Sequence, residues 1–230
     1  MIVKRLSSQW YADRSATKKS GVVNRVVGVV LVPLLVGSGL GLLGGCGKTE
    51  PIKYYQLTVP AGGAPEMTQP ATPVTIVVGR LLTSEIYLDD HVVYAINAQQ
   101  MGTYEYQRWV EVPPLMIQQI FLRELRASGR YKGVYTPESK EVADYSLRGH
   151  LYDFKEVDSP NAIVARVTME LEMRNMKTGD VVWKHYYNHD EPVAAKTMPD
   201  VVAALDKNVQ MAASELAAGL DQYFAAHPVK

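Results

Sequence analysis

The chain has 230 residues with 24 Lys and Arg against 24 Asp and Glu, a balance that leaves no electrostatic footprint for nucleic acid. Its single cysteine, Cys46, has no partner for an internal disulfide, so the core alone must hold the fold. One stretch, near the N-terminus, approaches membrane-spanning length, and no second one does.

That stretch comes first in chain order. Lys4, Arg5, Arg14, Lys18, Lys19 and Arg25 form a basic leader opposed only by Asp13, and no charged side chain occurs from Val26 to Gly45. A basic segment, an apolar run and small residues before a cut describe a secretory signal. Here Leu43-Gly44-Gly45 leads directly into Cys46, and Leu-Gly-Gly-Cys resembles the lipobox of bacterial lipoproteins. The resemblance implies that residues 1–45 are a signal peptide. It also implies that the Cys46 sulfur receives a diacylglyceryl group and that the new amine is acylated, palmitate being the usual chain. Three acyl chains, at about 0.8 kcal/mol per buried methylene, hold a domain firmly on a membrane leaflet. Two other readings stand beside this one: an uncleaved transmembrane helix, and an ordinary buried thiol at Cys46. Pro33 and the glycines at 37, 39, 41, 44 and 45 weigh against the helix. Removing residues 1–45 leaves 185 of the 230, enough for one domain, with 18 basic residues against 23 acidic.

Residues 46–52 read as a lipidated tether and 53–228 as the domain. Lys53–Val59, rich in aromatic and β-branched residues, predicts a strand. Residues 60–73, with Pro60, Pro65, Pro70 and Pro73, predict a loop. Val74–Gly79 is an apolar run typical of a strand covered on both faces. His91–Ile96 and Met101–Tyr106 predict two strands joined by the polar turn Asn97–Gln100. Pro114–Ser128 predicts a helix with proline in its first turn, an apolar stripe of Met116, Ile117, Ile120, Phe121 and Leu125, and Gly129 as C-terminal cap. Trp109, just ahead of it, is expected in the core.

The second half repeats the alternation. Tyr145–Phe154 predicts a strand. Ile163, Ala165, Val167, Met169, Leu171 and Met173 alternate with Arg166, Thr168, Glu170, Glu172 and Arg174, a strict period of two that marks a longer strand. Lys177-Thr178-Gly179-Asp180 turns it back into Val181–His189 as an antiparallel hairpin. Thr197, Pro199 and Asp200 open a helix whose apolar positions run from Val202 through Leu205, Val209, Ala212, Leu216 and Leu220 to Tyr223. The expected fold is α/β, a single domain with a mixed β-sheet and two main helices packed on it as an α/β sandwich.

With the elements placed, the chain resembles the ABC-type transport auxiliary lipoprotein family, which includes the lipoprotein of the paraquat-inducible lipid-transport system. The matching stretches are Tyr54-Tyr55-Gln56-Leu57, Tyr87-Leu88-Asp89, and above all Arg108-Trp109-Val110-Glu111-Val112-Pro113-Pro114. The last leads to a helix ending Leu125-Arg126-Ala127-Ser128-Gly129, and Ala143-Asp144-Tyr145-Ser146-Leu147 with Phe154 also fits. Asp90-His91 departs from the family's continuation after the Leu-Asp pair and bears on the subgroup. The resemblance implies a non-catalytic, membrane-anchored periplasmic component of a phospholipid-transport system, working with a mammalian-cell-entry (MCE) domain protein and an ABC permease and ATPase. The same resemblance extends to homo-oligomers, because some of these lipoproteins are similar in fold to periplasmic lipoproteins that form rings. Gly47, at the second position after the cut, predicts an outer-membrane location, because enteric-type sorting retains lipoproteins with aspartate there. The rival reading is an assembly factor or activator for lipopolysaccharide export or cell-wall synthesis.

No catalytic or cofactor-binding residue is assigned. His185 and His189 lie on one strand face beside Asp190, half a metal site at most, and the expectation is two solvent-facing histidines with no metal. Glu170 and Glu172 stand about 7 Å apart on one face, a spacing that two glycosidase carboxylates could use. Their alternation with an apolar row predicts a solvated face instead.

Overall fold

The computed structural model describes residues 50–59, 72–158 and 162–229. The leader over residues 1–45, Cys46 and most of the expected 60–73 loop lie outside the described residues. Thr49–Lys230 forms one compact unit, and the whole described core lies inside it, so a chain starting at Thr49 carries that core complete. The elements are β1 (Lys53–Tyr55), β2 (Thr72–Val78), β3 (Leu82–Thr83), β4 (His91–Asn97), β5 (Gln100–Trp109), α1 (Pro113–Ala127), β6 (Tyr131–Tyr135), β7 (Tyr145–Asp158), β8 (Ile163–Asn175), β9 (Val181–Pro192) and α2 (Met198–Ala226).

The fold is built around β7. At about 3.3 Å per residue, its 14 residues span roughly 45 Å. One edge of β7 pairs antiparallel with β8 from end to end, and β8 pairs antiparallel with β9. The other edge is shared by three shorter parallel strands: β2 at Tyr145–Leu147, β3 at His150–Leu151 and β4 at Glu156–Val157. β6 continues the sheet beyond β2, and β5 and β1 continue it beyond β4. The mixed sheet is therefore one long hairpin layer that forks along β7.

Both helices belong to one layer. Ala165, Val167, Met169, Leu171 and Met173 of β8 are buried beneath α2, whose Val201, Leu205, Val209, Ala212, Leu216 and Leu220 face them. The stripe of α2 is rotated slightly from expectation, with Val201 and Phe224 buried and Val202 and Tyr223 only half-buried. α1 packs on β2, β6 and α2, and its Gln118 is buried because its side-chain amide donates to the Val78 carbonyl at 2.8 Å. Asn208 of α2, fully buried, ties the layers together. Its amide donates to the carbonyls of Ala165 and His189 at 3.0 Å, and its Oδ1 accepts from the Tyr187 hydroxyl at 2.5 Å. A polar side chain is stable at such a site only because its hydrogen-bonding groups find partners.

Several boundaries differ from expectation, each for a tertiary reason. The first strand ends at Tyr55 rather than Val59. Beyond it the chain crosses to α2, where Thr58 donates to Asp206 at 2.9 Å and accepts from Gln210 at 2.7 Å. The alternation of β7 changes phase at Tyr152, an extra residue between Leu151, opposite Met169, and Asp153, opposite Thr168. This bulge returns Phe154 to the core face. The expected turns and caps are present: Asn97 Oδ1 accepts from the backbone of Gln99 and Gln100, Gly129 and Gly179 have positive φ, and Thr197 caps α2.

Candidate functional site

The face of the sheet away from the helices carries the alternate residues of β7, β8 and β9. In register they form cross-strand rows, Arg148–Glu172–Lys184, His150–Glu170–Tyr186 and Lys155–Arg166–Asp190. Most charges on this face are paired within it. Arg166 grips Asp190 with two bonds of 2.7 and 2.6 Å, and that guanidinium holds the Asp190 carboxyl below the usual carboxylate range. Lys155 pairs with Asp153 at 2.5 Å. Glu172 lies 3.6 Å from Arg174, and Glu170 lies 3.7 Å from Lys184 while accepting from the Tyr152 hydroxyl at 3.2 Å. The two carboxylates, each beside a cation, belong to a charge ladder on the solvated face that the alternation of β8 predicts.

The histidines stand elsewhere than expected. His185 and His189 lie on the α2 side of β9, at its margin. Each ring has its own carboxylate, Glu215 at 3.1 Å and Glu191 at 3.3 Å, and Lys207 also binds Glu191 at 2.5 Å. They do not converge on a shared centre. Among the described residues, Asp89, Asp90 and His91 form a group of potential ligands close enough to share one ion. It is satisfied internally: Arg108 holds Asp90 at 2.9 Å, and His91 bonds the Asp89 carboxylate through both its backbone N–H and its ring.

Among the described residues two glutamates are buried on the helix side of the sheet, Glu191, already paired with Lys207, and Glu156. Glu156 accepts from Tyr104 at 2.9 Å, and burial raises its pKa, although the Tyr104 hydrogen bond pulls the other way. A carboxyl raised in the folded state binds more protons folded than unfolded. Its contribution is therefore best below the unfolded carboxylate range and is lost as pH rises through the folded value. Glu156→Gln keeps an acceptor for Tyr104 and removes the charge. In denaturant titrations at pH 4 and pH 8 the variant should gain stability relative to the native chain at the higher pH. A gain of equal size at both would contradict the assignment.

Two concavities open at the fork beside β2. A cavity of about 950 Å³ is walled by Pro73, Val77, Tyr145, Val142 and Met176. A second, of about 470 Å³, lies where β7 passes from β2 to β3 and is lined by Arg80, Leu82, His150 and the two glutamates just described. Gly79 and Arg148 line both, so the two meet. Neither arginine was singled out from sequence. The only local signal was the place of Arg148 on the polar side of its strand, because the gap is made by chain segments far apart in sequence.

The fold and these sites can be set beside known proteins. Residues 55–217 match the family described as ABC-type transport auxiliary lipoprotein component. No curated protein sequence matches the chain. Among solved structures, a Xanthomonas campestris protein of family DUF330 superposes with a TM-score of 0.64 at 16% identity, covering 74% of this chain and 94% of its own. An uncharacterized protein superposes at 0.60 with 13% identity, covering 74% and 99%. At these identities the likeness is one of fold. A PelC dodecamer from Paraburkholderia phytofirmans fits at only 0.37 with 14% identity, covering 62% and 88%, too distant to inform assembly. Among the described residues no helix is long and apolar enough to cross a membrane. With its motif stretches in place around Trp109 and α1, and 163 consecutive residues matched, the chain belongs to the ABC-type transport auxiliary lipoprotein family.

Proposed function

We propose that this chain is the lipid-anchored, non-catalytic accessory component of an MCE-type phospholipid transporter. In this reading Cys46 carries the lipid, residues 1–45 are removed, and the domain faces the periplasm from the outer membrane. It docks there with an MCE-domain protein served by an ABC permease and ATPase, as a single copy or a homo-oligomer. The observation that carries the reading is the family match over residues 55–217. The lipobox-like Leu43-Gly44-Gly45-Cys46 supports the anchor, and Gly47 supports the outer membrane.

The test is made in cells. A fatty-acid probe should label the native chain and leave Cys46→Ala unlabelled, and equal labelling of the two would remove the anchor from the proposal. The native chain should co-purify with the MCE-domain protein from solubilised membranes, and its absence from that complex would remove the transporter. Gly47→Asp should shift the protein towards the inner-membrane fraction on a density gradient.

A further inference from the structure

β1 is an outer strand of the sheet, and the chain enters it shortly after Cys46. Its register against β5 sets Tyr55 beside Trp109 and Tyr54 beside Arg108. Tyr55 and Trp109 belong to the core side, so Tyr54 stands on the opposite face, exposed. The pairing runs one step further, because the Val110 N–H donates to the Tyr55 carbonyl at 2.8 Å. Val110 and Val59 then line one concavity of about 250 Å³ with Leu57 and Met116. Ile52 lies just ahead of β1, two positions before Tyr54. Ile52, Tyr54, Val59 and Val110 are each between 43% and 61% exposed, so an apolar strip follows this margin of the domain.

An apolar strip left to solvent marks a contact, and the length of the tether selects which one. Cys46 precedes Ile52 by six residues, which span at most about 20 Å at full extension. That is less than half the roughly 45 Å covered by β7. A leaflet that holds Cys46 is therefore always within reach of β1. A short tether keeps such a surface at an effective concentration in the mM range, so a contact too weak to bind alone is still occupied. The side chains suit a bilayer interface: aliphatic groups enter the acyl boundary, and a tyrosine keeps its hydroxyl at headgroup level. Lys48 and Lys53 are balanced by Glu50 and Glu111, and Arg108 is held by Asp90 at 2.9 Å. With no cationic excess to draw an anionic leaflet, the attraction is apolar.

We infer that the strip Ile52–Tyr54–Val59–Val110 rests on the leaflet that carries the anchor, and that this contact fixes the orientation of the domain on the membrane. The β1 margin lies on the lipid, while β9, separated from it by β5, β4, β7 and β8, stays clear of it. The inference rests on Cys46 as the lipid carrier.

The test supplies the anchor chemically. The chain from Cys46 onward, which contains the whole compact unit from Thr49, is coupled through its single thiol to a maleimide-headed lipid in phosphatidylcholine vesicles. The reference is the same chain with its thiol capped by N-ethylmaleimide, free in solution beside vesicles without the reactive lipid. Hydroxyl-radical oxidation is read by mass spectrometry at Tyr54 and Val110 and compared with Tyr186 of β9, which is as exposed as Tyr54. Coupling should lower oxidation of Tyr54 and Val110 at least about threefold relative to Tyr186. The protection should be equal at 50 and 500 mM salt, as controlled in the assay for an apolar contact. I52D/V110D, with both changes at exposed positions, should return Tyr54 to within about 1.5-fold of the free chain. An unchanged Tyr54 ratio on the vesicle overturns the proposal, as does protection lost at high salt. Tyr54 protected already in the free chain also overturns it: protection that grows with protein concentration would give the strip to a second copy, and protection at every concentration would give it to the chain itself. Because the anchor here is synthetic, these failures condemn the strip alone, whereas failure of the Cys46 reading appears only in the fatty-acid labelling of cells.

Discussion

Trp109→Ala is expected to destabilise the domain by about 3–5 kcal/mol, as for other buried aromatics cut to alanine, which lowers the Tm of a domain this size by roughly 6–20 °C. Trp109 ends β5 and is 1% exposed. Its ring packs on Phe154 of β7 with centroids 5.3 Å apart, and its backbone N–H donates to the Asp90 carbonyl at 2.5 Å. β5 carries this side chain, β7 supports it through Phe154, and α1 starts four residues later. Because the adjoining strands are locked in their ladders, the space left by the indole cannot collapse cheaply. Thermal and denaturant unfolding of the chain from Thr49 onward measure the loss. An unchanged Tm combined with lost co-purification of the MCE-domain protein would make Trp109 a docking residue and overturn the core assignment.

Gly149→Ala is the second large effect, and its cause is the opposite one. A Cβ at this position would lie 2.4 Å from the Glu170 carbonyl oxygen and 2.8 Å from a methyl of both Leu81 and Leu171. The leucine ends can move. The carbonyl belongs to the β7–β8 ladder and moves only if the ladder opens. Overpacking of a core costs about 1–3 kcal/mol, occasionally more, and a clash with backbone belongs at the upper end, near 3 kcal/mol. Gly133→Ala is the informative comparison. Its closest neighbours are atoms of the Tyr135 ring, which can swing aside, so its cost should be smaller. Equal stability of Gly149→Ala and the native chain would show that β7 and β8 are not held as tightly as the register implies.

Gly149 also shows why part of the fold could not be read in advance. A glycine inside an alternating strand signals a close approach without naming the neighbour. Besides the Glu170 carbonyl and Leu171 of the adjoining strand, one neighbour here is Leu81, on the segment that leaves β2 and re-enters the sheet as β3. That segment contributes a strand of two residues, too short for any periodicity to register. β6 was missed for a related reason. Tyr131-Lys132-Gly133-Val134-Tyr135 has a glycine at its centre, which lowers strand preference, yet that glycine is needed because the ring of Tyr135 lies across it.

What the sequence determined by itself is the set of elements whose pattern is local. The period of two in β8, the helical stripes of α1 and α2, the Lys177–Asp180 turn and the caps at Gly129 and Thr197 all depend on residues within a few positions of one another. Backbone geometry and burial on one face act over that range. The α/β class with two helices on a mixed sheet follows from them, and Trp109 in the core follows from its place before a broad apolar stripe. The tertiary structure alone decided how β7 divides one edge among β2, β3 and β4, where its bulge falls, and which charges find partners across strands. It also brought Arg80 and Arg148 to one opening. Those outcomes depend on contacts between segments tens of residues apart, and a single-sequence pattern does not encode which edge of a strand a distant segment will occupy.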